Sequence, residues 1–363
     1  MSLTGTSRNW QHRSLMSADW LKAAGTGIAL WRAPVTVFQR RNAAKEGRQQ
    51  GGPSILTRRK FGTTLVAGAA LATSAQQVRP QPAGKRTIVD AQVHFWKANS
   101  PDWAWDPGAK PQLPEPFTIE RALPMMDEAG VDRVVIVPPG LNDRNDYALE
   151  AAKRYPNRFG VMGRIPLQDP KSAALLPAWK QQPGMLGVRV TFNTPPTRAW
   201  LSDGTADWFW PAAEQAGLAV MFLAVGEVPR FARIAERHPQ LTLIIDHMGL
   251  NSSSRTNRIT EIPSAIDQAI ALSKYPNVSV KLSGAVGNSL EPYPFRDMTV
   301  YLHRLFDAYG PQRCYWGTDI TNSFASASYG QRVTHFTEEL SFLSESDKDW
   351  VMGRAILARL KWA

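Results

Sequence analysis

From residue 86 onward, short apolar runs alternate with longer stretches whose apolar positions recur every three or four residues. Runs of the first kind suit strands buried on both faces, and stretches of the second kind suit helices laid over them. The first run, Thr87-Ile88-Val89, leads into Asp90-Ala91-Gln92-Val93-His94. This predicts a strand that delivers Gln92 and His94 to its C-terminal end, pointing the same way because side chains alternate along a strand. Residues 96–116 are irregular, with Trp96, Trp103 and Trp105 set among prolines. Too long for a simple connection and too aromatic for a solvated loop, they are expected to fold over the strand ends as a site wall. Helices over 118–130, 144–155, 206–216, 227–237, 261–274 and 297–309 then separate strands over 133–138, 159–165, 186–192, 218–224, 241–246, 278–282 and 314–318. No helix is assigned between the strands at 159–165 and 186–192.

Helices between consecutive strands imply right-handed parallel crossovers. Eight strands in the 284 residues from 80 to 363 match a closed (β/α)8 TIM barrel, for which about 250 residues is usual. A doubly wound open sheet would need a phosphate-binding glycine turn after the first strand, and Gln92-Val93-His94-Phe95-Trp96 is not one. In a barrel the C-terminal strand ends become a list of candidate reactive groups. They are Gln92 and His94 on the first strand, Arg164 on the third, Arg189 on the fourth, Asp246 and His247 on the sixth, Lys281 and Ser283 on the seventh, and Thr318 and Asp319 on the eighth. The fifth offers nothing titratable before Glu227.

The formal net charge of +11 invites a nucleic-acid partner. Residues 1–79, however, hold 12 of the 42 Lys and Arg and only 2 of the 31 Asp and Glu, leaving 30 basic against 29 acidic residues in the body. A nearly neutral body carries no footprint for a phosphate backbone. Cys314 is the single cysteine, so neither an internal disulfide nor a cysteine metal cluster can form. Residues 54–75 set Arg58 and Arg59 before a weakly apolar Ala/Gly-rich run, too short to span a bilayer and ending in small residues. The pattern resembles a twin-arginine export signal, which implies a periplasmic protein with no stable membrane association once the signal is removed. Residues 1–53 are expected to be a disordered extension or an overlong start. Residues 76–85, rich in Pro, Gln and Gly, read as a linker before a barrel at 86–363.

Val89-Asp90-Ala91-Gln92-Val93-His94-Phe95-Trp96, Gly187-Val188-Arg189-Val190, Ile245-Asp246-His247-Met248-Gly249 and Trp316-Gly317-Thr318-Asp319 together resemble the amidohydrolase-related family of the amidohydrolase superfamily. The resemblance implies metal-dependent decarboxylases and lactonases, with ligands from a His-x-His pair, histidines on middle strands and an aspartate on the last. Here Gln92 stands in the first histidine's place, and the fifth strand has no histidine. An amide brings neither the imidazole nor the anion that a transition metal prefers. The resemblance also implies metal-independent lactonases, and these fit the departures best.

The expected reaction is hydrolysis of a lactone or similar ester of a small anionic compound, without cofactor. Asp319 acts as general base on water, His94 and His247 polarise the carbonyl or orient the water, and Gln92 donates a fixed hydrogen bond. Arg189, Arg164 and Lys281 hold the substrate's anionic group. Blander roles compete with these: Arg189 and Lys281 can form buried ion pairs with Asp90 or Asp246, and the tryptophans can simply pack the barrel mouth. His238 is expected to serve a helix C-terminus, with His303 and His335 away from the site. One alternative function is a hydrolase or decarboxylase holding one divalent metal, such as zinc, on His94, His247 and Asp319. Another is a periplasmic binding protein whose catalytic set has eroded. The last helix, ending at Trp362, can pack on its own barrel or on a neighbour, which leaves a homo-oligomer open.

Overall fold

The computed structural model describes residues 85–251 and 258–363. The extension, the export signal and most of the linker, all expected before residue 85, lie outside the described residues. Eight strands form one parallel sheet in chain order: β1 (Val89–Val93), β2 (Arg133–Ile136), β3 (Phe159–Gly163), β4 (Met185–Thr191), β5 (Ala219–Leu223), β6 (Thr242–Ile245), β7 (Val278–Lys281) and β8 (Cys314–Tyr315). Across the seam, Ala91 N–H donates to Trp316 O (3.1 Å) and Asp319 N–H to Gln92 O (2.9 Å). The sheet therefore curls into a nearly closed barrel, as the eight-unit pattern predicts.

Helices Ile119–Ala129, Asp146–Arg154, Phe209–Gln215, Phe231–Arg237, Arg258–Ala271 and Thr299–Tyr309 occupy the predicted stretches. The first shows why the ends fall where they do. Thr118 accepts a hydrogen bond from Arg121 N–H at the start, and Gly130, with φ 71°, turns the chain out at the end. Between β3 and β4, where no helix was expected, Pro170–Gln181 winds into tight 3-10 turns capped by Asp169. Pro170 and Pro177 remove amide donors that a regular α-helix would need. Trp179 Nε1–H fastens this segment to β4 through Gly187 O (2.9 Å).

Alternation along the strands divides the core in two. The larger part lies between strands and helices; the smaller, including Val89, Ala91, Val135, Met162, Met221, Ile244 and Tyr315, continues into the last helix, Ala355–Leu360. Ala355, Ile356 and Leu360 of that helix are buried on the chain's own barrel. Trp96 and Trp103 are buried against Phe117 and Tyr147. These aromatics pack the layer behind the barrel mouth, the plainer of the two roles open to them, while Gln112 of the same stretch reaches the cavity described next.

Candidate active site

At the C-terminal ends of the strands lies a cavity of about 450 Å3. Its wall includes His94, Arg164, Arg189 and His247 from the predicted set, joined by Trp200 and Asn322. Asp319, 1% exposed, is not part of the wall and lies behind His94 and His247; Gln92 and Lys281, expected to touch substrate, are fully buried and do not line the cavity either. They belong to a charged layer beneath.

That layer is centred on Asp246. Its carboxylate, fully buried, meets Lys281 Nζ at 2.6 Å through Oδ1 and Arg189 Nε at 3.0 Å through Oδ2. Burial alone would disfavour the anion, but the two cations outweigh it and hold Asp246 at about 2. Burial in turn lowers the Lys281 ammonium, and Asp246 offsets part of that. Of the two ion-pair partners open to Arg189 and Lys281, the structure therefore selects Asp246. Asp90 does something else: it accepts from Thr318 N–H (2.8 Å), Thr318 Oγ1 (2.5 Å), Tyr329 OH (2.8 Å) and Gln92 N–H (3.0 Å). Burial pushes the Asp90 carboxyl up despite these donors.

The Asp90 clamp fixes the backbone just before Asp319. Asp319 has φ 48°, and His247 and Met248 have φ 51° and 61°, left-handed conformations that cost of order 1–3 kcal/mol each for such residues. Hydrogen bonds over-determine them: Asp319 N–H to Gln92 O (2.9 Å) on one side, Leu250 N–H to His247 O (2.9 Å) on the other. Gly284 (φ 83°) leaves the space, since a Cβ there would come within 3.2 Å of the His247 Cβ.

The backbone so held brings three predicted groups together. His94 Nε2 lies 3.1 Å from Asp319 Oδ1, and His247 Nε2 lies 3.7 Å from Asp319 Oδ2. His94 Nδ1 meets Val137 O at 2.6 Å, and His247 Nδ1 meets Ser283 Oγ at 2.9 Å. Burial pulls His247 down to about 4 against the opposing pull of Asp319, so the ring is neutral near pH 7. Asn322 Nδ2 spans both Asp319 oxygens at 3.0 and 2.9 Å, setting the plane of the carboxylate. Asn322 was not among the sequence candidates; its only signal there is a carboxamide three residues after Asp319, at the closure of a turn in which Asn322 N–H donates to Asp319 O (3.0 Å). Arg164 reaches the cavity from beyond β3, with Nε 3.2 Å from Asp143 Oδ1. Burial, and then the neighbouring Arg189 charge, lower it.

The donors do not fit a metal at the position of the first histidine. The Gln92 amide oxygen is taken by the Lys281 ammonium, and its nitrogen faces His94 Nε2 at 3.2 Å. The donors left for the metal alternative are His94 Nε2, His247 Nε2 and the Asp319 carboxylate, which lies 3.1 and 3.7 Å from the two nitrogens, and His94 Nε2 also faces the Gln92 amide nitrogen.

A parallel eight-stranded barrel with two imidazoles on the wall of a cavity at its C-terminal face, and a buried carboxylate behind them, places its candidate reactive groups where this fold carries chemistry. The amidohydrolase family model matches residues 89–357, and the chain belongs to that family. It is a hydrolase. It is 26% identical over 246 residues to an L-fucono-1,5-lactonase of Burkholderia ambifaria, covering 67% of this chain and 83% of that protein. Among solved structures, an amidohydrolase of Burkholderia multivorans with bound zinc superposes with a TM-score of 0.65 at 20% identity, covering 76% of this chain and all (100%) of that one. A probable 2-pyrone-4,6-dicarboxylic acid hydrolase of Acinetobacter baumannii, with citric acid bound, superposes with a TM-score of 0.62 at 18% identity, covering 76% and 99%.

Proposed function

We propose that the protein hydrolyses a lactone, or a similar ester, of a small anionic compound, with Asp319 as general base and without a metal. The observation that carries this reading is the Asp319 carboxylate, oriented by Asn322 and flanked by His94 and His247, beneath a cavity whose wall holds Arg164 and Arg189. Asp319 takes a proton from water as the water attacks the carbonyl carbon, and neutral His247, which lines the cavity, orients the water or the carbonyl oxygen. The alkoxide leaving group of an opened lactone needs far less help than an amine, so one carboxylate and a few donors suffice. Arg164 and Arg189 receive the anionic group. Arg189 has Nε committed to Asp246 and Nη1 to Thr191 Oγ1, which holds its guanidinium plane still for bidentate pairing. The lactonase name of the Burkholderia ambifaria relative and the pyrone ring named for the Acinetobacter baumannii neighbour support the substrate class.

The test is turnover of a panel containing L-fucono-1,5-lactone, 2-pyrone-4,6-dicarboxylate and other sugar lactones. Asp319→Asn should lower kcat by roughly 10²–10⁴-fold while KM moves little, because the base acts mainly in the transition state. Retained turnover would remove Asp319 from its role. Arg164→Met should instead raise KM for the anionic members and spare the neutral ones. We further propose periplasmic export through the twin arginine at Arg58-Arg59; Arg58→Lys with Arg59→Lys should leave the protein in the cytoplasm, and unchanged export would contradict this.

A further inference from the structure

Among the described residues that line the cavity, the Lys, Arg, Asp and Glu side chains are Arg164, Arg189 and Asp143. Arg164 gives Nε to Asp143 Oδ1 at 3.2 Å, and its two Nη groups make no hydrogen bond among the described residues. Arg189 gives Nε to Asp246 and Nη1 to Thr191 Oγ1, which leaves Nη2 for a ligand. Burial and then the Arg189 charge disfavour the Arg164 cation, while Asp143 and, after it, Asp106 favour it. Two like charges facing one cavity are best reconciled by an anion shared between them, and the arginine fork suits a carboxylate.

Asp143 is half exposed, yet the chain on both sides of it is fastened. Asn142 Nδ2 donates to Ala104 O (3.0 Å), and Arg144 Nη1 donates to Asp102 O (3.0 Å) while its Cζ lies 4.1 Å from the Trp103 ring centre. Asn145 grips the Arg164 backbone, accepting from its N–H at 2.7 Å and donating to its C=O at 2.9 Å. The carboxylate is therefore a fixed part of the wall. A substrate whose first carboxylate takes the two arginines finds no further Lys or Arg for a second one among the described wall residues, and meets Asp143 instead. A charge that loses water to face a like charge without a partner of its own is rejected.

We propose that Asp143 is a specificity-determining residue: the site takes a ring carrying one carboxylate, shared by Arg164 and Arg189, and Asp143 turns away a ring carrying two. The inference rests on the reading of the two arginines as the anion site and adds the charge of the substrate to it.

Benzoate and isophthalate, six-membered rings with one and two carboxylates and no ester, read this by calorimetry on the full chain at constant ionic strength. The wild type should bind benzoate at least about tenfold more tightly than isophthalate. Asp143→Asn keeps an oxygen for Arg164 Nε and removes only the charge, so the ratio of isophthalate to benzoate affinity should rise at least about tenfold. Wild-type preference for isophthalate, binding of neither acid, or a ratio left unchanged in Asp143→Asn would each overturn the proposal; the last is what an Asp143 that merely tethers Arg164 would give. Arg164→Met should weaken benzoate about tenfold or more. Unchanged benzoate binding there would defeat the anion-site reading and the proposal with it, whereas an unchanged ratio beside a weakened Arg164→Met defeats the proposal alone. Neither readout needs turnover, so both stand whatever Asp319→Asn does to the lactone panel.

Discussion

Two buried histidines set the protein's response to acid. Burial holds His247 and His335 at about 4, below the ordinary 6.5. Between those values the unfolded chain binds more protons than the folded one, so stability is full above about 6.5 and falls as the pH drops toward about 4. Asp246, held at about 2 against an ordinary 3.8, extends the loss at still lower pH. Urea unfolding at a series of pH values should show this decline, and a flat profile from pH 7 to 4 would contradict it. His335, expected away from the site, is 0% exposed, packed against Phe295 and Phe336, and neither ring nitrogen has a hydrogen-bond partner among the described residues. His335→Leu removes that unsatisfied ring. It should raise stability at pH 7 by about 1 kcal/mol and flatten part of the acid slope, whereas destabilisation would indicate a partner for the ring.

Among elements, the strands were the most legible part. Apart from Arg133 and Thr242 at their starts, β2, β3, β5 and β6 are apolar or glycine throughout, as a parallel strand covered on both sides must be. The ends of the elements depend on partners far off in the chain. The eighth strand, expected to run to Thr318, leaves the ladder at Tyr315 because Trp316 N–H turns to Val351 O (2.9 Å) and Thr318 N–H to Asp90 (2.8 Å). The ladder of β1 on β2 also slips between Asp90 and Val93. That slip accompanies Asp90 facing Thr318 while Gln92 faces Lys281. The strand-end residues were all visible in the sequence, but which of them would pair was not. Lys281 and Gln92 are separated by 189 positions, and only the closed barrel reveals that one occupies the other. At β4, a Cβ on Gly187 would stand 2.3 Å from Ala219 O on the neighbouring strand. Gly187→Ala should therefore cost about 1–3 kcal/mol in thermal or urea unfolding, and a neutral result would mean that β4 and β5 separate easily.

For the whole molecule, the barrel from β1 to the last helix carries both the family match and the candidate site, and the 30 basic and 29 acidic residues after position 79 nearly balance. A chain beginning at residue 80 should keep the Tm and kcat of the full chain; loss of either would give residues 1–79 a part in the working fold. Hydrolysis by a carboxylate and two imidazoles, with Lys281 securing the amide in the first histidine's place, is proposed to leave this barrel independent of metal. It is tested most directly by measuring metal per chain and kcat on one and the same chelator-treated sample. Less than about a tenth of an equivalent of metal, with undiminished turnover, is the expected result. Near-stoichiometric zinc or manganese before chelation, lost together with activity and restored with it, would contradict it.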